Sequence, residues 1–91
     1  MNVIIEHQPE TSRFVIAVDG EEAGHAEYFD TGTQRDFPHT VIDERFRGKG
    51  LASKLIKAAL DESRQAQRTV IPSCSAVRHF IDKHEEYQDL L

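Results

Sequence analysis

The stretch Arg45-Phe46-Arg47-Gly48-Lys49-Gly50-Leu51-Ala52 lies between a β-branched run, Thr40-Val41-Ile42, and an apolar-periodic segment that begins near Leu51. The order is strand, glycine-basic loop, helix N-terminus. Gly48 and Gly50 can take φ > 0 and let backbone N–H groups approach a ligand closely. The helix that follows points its positive dipole end at the same place. Arg45, Arg47 and Lys49 add three cationic side chains. Such an arrangement suits a pyrophosphate.

Two better-known phosphate loops are excluded. No Gly-Lys-Ser/Thr stands at the distance a Walker A loop requires, and the third glycine of the dinucleotide fingerprint is replaced by Ser53. The chain is also too short for a doubly wound nucleotide domain. The alternative is a plain glycine turn before a helix.

Working outward, Leu51, Ala52, Leu55, Ile56, Ala59 and Leu60 recur at i, i+3/i+4 spacing, which predicts a helix over about 51–65. Lys54, Lys57, Asp61 and Glu62 fall on its polar face. Upstream, Val3-Ile4-Ile5 and Phe14 to Val18 read as strands, joined to a third over Ala23 to Phe29 by an Asp19-Gly20 turn. Asp30 to Thr33 reads as a loop, and Asp36 to Ile42 as a fourth strand with Pro38 at an edge or bulge. Downstream, Thr69-Val70-Ile71 is a fifth strand. Ser73 or Ser75 would cap a last helix from Ala76 to about His84, with Val77, Phe80 and Ile81 as its apolar stripe. The expected order is β-β-β-β-α-β-α: an α+β (or α/β) chain with a mixed, mostly antiparallel five-stranded sheet.

Residues 1–91 read as a single domain, without repeat, linker or composition shift. A chain this short buries roughly 60–65% of its unfolded surface, so its core is thin. No apolar run approaches a membrane span, and the start has no basic region or long apolar run of a signal peptide. The lone Cys74 forms no internal disulfide, and a reducing cytoplasm is the expected location. The net charge of −5 argues against nucleic acid or an anionic membrane as partner. It also makes the basic loop a local exception.

The loop resembles the acetyl-CoA pyrophosphate motif of the GNAT acetyltransferase superfamily, Gln/Arg-x-x-Gly-x-Gly/Ala. It fits in two overlapping frames, Arg45-x-x-Gly48-x-Gly50 and Arg47-x-x-Gly50-x-Ala52. The element order resembles the minimal GNAT fold. Closer still is the small single-domain, YidJ-like group, on His39-Thr40-Val41, Arg47-Gly48-Lys49-Gly50, Pro72-Ser73-Cys74 and the tail Lys83-His84-Glu85-Glu86-Tyr87. Glu85 stands where that group usually has proline.

The resemblance implies acetyl-CoA as co-substrate, with its pantetheine arm in a gap between the fourth and fifth strands. Backbone groups of Thr40, Val41 and Ile42 would line that arm. The segment Arg45, Arg47, Gly48, Lys49, Gly50, Leu51, Ala52 and Ser53 would hold the pyrophosphate. Cys74 would lie near the thioester. The tyrosine that many GNAT enzymes use as general acid is missing, since the last helix reads Phe80-Ile81. The helices that wall the acceptor site in larger members have no room in the seven residues between Ile5 and Arg13. The acceptor groove is then open, or completed by a second copy in a homodimer.

Cys74 is a candidate acyl carrier or proton donor to the departing thiolate, against the alternative of a small buried hydrophobe. His39 is a candidate base, against a strand-end histidine bonded to backbone. Cys74, His79 and His84 make C-x4-H-x4-H, which is no zinc spacing, so no metal is expected. His7 and His25 read as surface groups, and Asp19, Glu21, Glu22, Glu27 and Asp30 as a solvated acidic face. Two functions follow: an acetyl-CoA-dependent N-acetyltransferase acting on an amine or lysine acceptor, or an acyl-CoA-binding module with little or no turnover.

Overall fold

Alternating apolar side chains build a sheet, and two amphipathic helices cover one face of it. The computed structural model describes residues 1–91, with strands β1 (Val3–Gln8), β2 (Arg13–Val18), β3 (Glu21–Glu27), β4 (Phe29–Thr31), β5 (Gln34–Asp36) and β6 (Thr40–Ile42). Helix α1 (Leu51–Gln65), strand β7 (Thr69–Ile71) and helix α2 (Ser75–Lys83) follow, and a 3-10 segment, Glu85–Leu90, closes the chain.

The mixed α+β architecture agrees with the expected one, and α1 spans the expected residues. The strands differ in detail. They form two ladders, β1-β2-β3-β6 and β4-β5-β7. All pairs are antiparallel except β5 with β7, which is parallel. Tyr28 alone separates β3 from β4, so the third strand crosses from one ladder to the other. The expected loop at Asp30–Thr33 is instead a tight hairpin, β4 pairing with β5.

The expected fourth strand, Asp36 to Ile42, is broken at Phe37-Pro38-His39 into segments that belong to different ladders. Pro38 supplies no N–H to continue the ladder. The two break points are anchored rather than loose. Tyr28 and Phe37 are both buried, with ring centroids 6.1 Å apart, and each meets Phe14, at 5.6 and 6.4 Å. Aromatic contacts at these separations add to area burial.

Leu55 and Leu60 of α1 and Ile81 of α2 are fully buried against Phe14, Ile16 and Val70 in one apolar cluster. Burying one such side chain is worth about 1.5–3 kcal/mol. Strand residues of the other parity face away from the helices, and Ile4, Phe29, Val41 and Ile71 remain exposed there. Gly24, opposite Ile42 in the β3–β6 ladder, has no room for a Cβ, which would strike the Val41 carbonyl oxygen. Glycine at that position lets β6 approach β3.

One charged group enters the core. Arg35 is 4% exposed. It donates to Asp30 Oδ1 at 2.8 Å, to Oδ2 at 3.2 Å and to Glu62, and its guanidinium lies 4.2 Å from the Tyr28 ring centroid. Burial works against the cation, but the bonds to Asp30 and Glu62 outweigh it and raise its pKa. The bidentate fork is the geometry guanidinium supplies and ammonium does not.

Neither Ser73 nor Ser75 caps α2. Cys74 occupies the N-cap position, without a side-chain cap bond. The separation between β1 and β2 holds only a 3-10 turn, Pro9–Thr11, so no helix rises over that end of the sheet.

Candidate functional site

The glycine-basic loop leaves β6 through a short 3-10 turn, Glu44–Phe46. Asp43 caps that turn by accepting the Arg45 amide at 2.9 Å. That backbone bond, together with the Arg45 side chain, holds the Asp43 carboxyl below its usual pKa. The chain then passes through Gly48 (φ 80°) and Gly50 (φ 72°), both in the left-handed region, and Gly50 is the N-cap of α1. No side chain caps the helix. The amides of Gly48 through Ser53 donate to no protein acceptor. A run of unpaired N–H groups at a helix head is an anion cradle.

The basic side chains divide. Arg45 is committed to Glu21 and Asp43, each at 3.3 Å. Arg47 reaches back to the Ile42 carbonyl at 3.4 Å, and neither it nor Lys49 is paired with a carboxylate. Ile42, Phe46, Gly48 and Gly50 line a cavity of about 290 Å³. It shares Ala52 and Ser53 with a second, about 260 Å³, between α1 and α2, whose wall includes Phe80 and Lys83. Together they form a trough across the head of α1.

The strand gap expected beside this loop is present. The Phe37 amide donates to the Ile71 carbonyl at 3.0 Å, and the Cys74 amide to the Phe37 carbonyl at 2.8 Å. Beyond them the two chains part, and β6 has no partner on its outer edge. Val41 and Ile42 therefore offer an open strand edge. Cys74 sits at the closed end of the gap, 8% exposed, with Sγ 3.7 Å from Thr40 Oγ1.

His39 does not share a partner with Cys74. Its Nε2 lies 3.3 Å from Glu27 Oε2, and His25 Nε2 lies 3.5 Å from Glu27 Oε1. The three ligand-capable atoms fall within 4.8 Å of one another. This group was missed in the sequence, although the signal was there: His25-x-Glu27 on a strand puts both residues on one face. The partner His39 arrives only because the chain breaks at Pro38.

His7 and His25 are not the surface groups expected. His7 is stacked on Phe14 with centroids 4.3 Å apart and bonded to the Tyr28 hydroxyl at 2.7 Å. His84 is likewise used in packing, stacked on Phe80 and bonded to its carbonyl at 2.8 Å. The acidic face is also more structured than expected: Asp30, Glu21, Glu22 and Glu27 all have cationic or histidine partners. Tyr87 turns its hydroxyl to Asp61, 2.7 Å away on α1, and burial followed by that bond raises its pKa. Near the short β1–β2 connection, a shallow cavity of about 390 Å³ is lined by Ser12, Arg13, Glu27 and Tyr28.

A family model described as GCN5-related N-acetyl-transferase matches residues 13–90. No curated protein sequence matches the chain. Among solved structures, the chain is similar to a GCN5-like protein from Staphylococcus aureus, with a TM-score of 0.74 and 26% identity over 98% of this chain and 87% of that one. It is similar to Ard1 from Thermoplasma volcanium, with a TM-score of 0.65 and 26% identity over 86% of this chain and 57% of that one. It shares the fold of a ribosomal-protein-alanine N-acetyltransferase from Brucella melitensis, at TM-score 0.63 and 20% identity over 81% of this chain and 57% of that one. It thus spans little more than half the length of the last two. The family match covers nearly the whole chain: it belongs to the GCN5-related N-acetyl-transferase family and is an N-acetyltransferase.

Proposed function

We propose that residues 1–91 act as one domain that binds acetyl-CoA along the trough at the head of α1 and transfers its acetyl group to a primary amine, either a small amine or an exposed lysine. The observation that carries this is the run of unpartnered amides from Gly48 to Ser53 beside the open edge of β6. Those amides, with Arg47 and Lys49, would hold the pyrophosphate, and the edge groups of Thr40, Val41 and Ile42 the pantetheine. Leu51 anchors the loop by its own burial. Arg45 contributes by fixing the loop through Asp43 and Glu21 rather than by direct contact.

His39, exposed and oriented by Glu27, would take the proton from the incoming amine. Cys74 would give its thiol proton to the departing CoA thiolate, the role of the absent tyrosine. The two residues have separate partners, as fits one group for the amine and one for the leaving thiol. The acceptor side lacks walling helices, which suits an acceptor on a larger molecule or a second copy of this chain completing the groove. The short tail and Pro72-Ser73-Cys74 segment support a place in the YidJ-like group.

CoA release from acetyl-CoA should be followed over a panel of amines and lysine peptides. Turnover that falls in His39→Gln, with cofactor affinity kept, supports the assignment. Cofactor binding with no turnover on any acceptor would favour an acyl-CoA-binding module instead.

A further inference from the structure

We infer that His25, Glu27 and His39 form a binding site for a divalent transition metal of the zinc class on the sheet face opposite the helices. With the ion bound, His39 serves as a ligand and is not the free base of acetyl transfer, so the two roles belong to the metal-loaded and the metal-free chain. Two imidazoles and one carboxylate are a ligand set that zinc takes, leaving a fourth position open. Imidazole also suits copper and nickel, whereas magnesium and calcium prefer oxygen ligands.

The distances fit. With metal–ligand arms of about 2.0–2.2 Å, the edge of a tetrahedron is about 3.3–3.6 Å. His39 Nε2 to Glu27 Oε2 is 3.3 Å and His25 Nε2 to Glu27 Oε1 is 3.5 Å, so each imidazole meets that edge length with a different oxygen of the one carboxylate, and a small shift of His39 or of the carboxylate brings both onto a shared ion. All three ligand atoms lie within 4.8 Å of one another. His25 and Glu27 are fixed by the β2–β3 and β3–β6 ladders, whereas the His39 side chain is 54% exposed and can rotate to close the remaining gap. Access from solvent is open.

The other histidines make the choice specific. His7 and His84 are both held by aromatic stacking and a short hydrogen bond. His25 and His39 have no such use, and both turn to one carboxylate. Arg13 stands opposite Glu27 in the ladder, but its guanidinium is engaged by Gln8 and Glu22 and leaves the carboxylate to the imidazoles.

The test is titration of metal-stripped protein with Co(II), followed by displacement with Zn(II). One Co(II) per chain is expected, with the visible absorption of a four-coordinate ion, lost on adding zinc. Glu27→Gln and His39→Gln should each weaken binding by at least about tenfold, the floor for loss of even an outer-shell partner. His79→Gln should leave it unchanged. A stoichiometry near zero overturns the assignment, as does binding indifferent to Glu27→Gln and His39→Gln or weakened equally by His79→Gln. If a variant does not fold, paramagnetic broadening of the wild-type histidine ring signals decides. Selective loss of the His25 and His39 signals supports the site, and broadening of all five alike refutes it.

Discussion

The Cys74 amide donates to the Phe37 carbonyl at 2.8 Å, and this is the last backbone hydrogen bond before the fourth strand turns away from β7. The next residue, Pro38, has no N–H to extend the ladder. One bond therefore closes the apex of the strand gap and fixes Cys74 at that apex. Phe37 also supplies the buried ring that holds the apex against Phe14 and Tyr28.

Phe37→Ala removes that ring from a site with no solvent exposure. The expected loss is about 3–5 kcal/mol of unfolding free energy, the range for deleting a buried phenyl. Urea denaturation checks it. Phe37→Leu keeps most of the volume and should cost clearly less.

Gly48 and Gly50 both need φ > 0, yet neither has an atom within 4 Å of where a Cβ would stand. A side chain there strains the backbone instead of clashing, at about 1–2 kcal/mol per residue. Relief of that strain would re-aim the amides. Gly48→Val and Gly50→Val should therefore weaken CoA binding by tenfold or more, with a fall in melting temperature of about 4–16 °C from the strain. Calorimetric titration with CoA reads the first and thermal unfolding the second; unchanged affinity in both variants would remove the loop from the site.

Cys74→Ala tests the thiol as proton donor. A positioned acid contributes roughly 10²–10⁴-fold, so kcat should fall by about 10²-fold or more. The amide bond to Phe37 survives the substitution, so the affinity for CoA should change little. Steady-state kinetics alongside calorimetry separates the two effects. An unaltered kcat would leave Cys74 as a buried hydrophobe.

Acid should release the Arg35 network. The Asp30 carboxyl is held below its usual pKa chiefly by its hydrogen bond to Arg35. For Asp61, burial pushes the pKa up, but the bonds from Tyr87 and Lys57 outweigh it and leave it lowered. Both groups bind protons more weakly in the folded chain than in the unfolded one. Their stabilisation is thus fully present above the unfolded pKa of about 3.9 and is lost as pH falls through the lower folded values. Unfolding free energy measured from pH 6 down to pH 2 should drop in that window. Asp30→Asn should flatten the drop at a cost in stability at neutral pH. Arg35→Ala should cost more, because it removes the charge-assisted bonds to both Asp30 and Glu62 and leaves a cavity where the buried guanidinium stood.

Helix α1, the strand-loop-helix order and the glycine cradle were legible in the chain because each depends on neighbours a few residues away. Leu51, Leu55, Ile56, Ala59 and Leu60 declare a helix face by spacing alone, and Gly48 and Gly50 declare the loop by what only glycine does easily. The break at Phe37-Pro38-His39 was legible only as a proline in a strand. Its consequence, one strand divided between two ladders, needed the aromatic contacts with Phe14 and Tyr28.

The sequence by itself determined the helices, the glycine loop at the head of α1 and the family pattern, since these are local in physical origin. Only the tertiary structure decided which side chains meet. It set Cys74 beside Thr40, 34 residues away, and turned His39 toward Glu27 and His25 rather than toward Cys74. It also buried Arg35 between Asp30 and Glu62. Those encounters follow from strand register and from a proline-induced change of ladder, and neither is encoded in the spacing of the residues that meet.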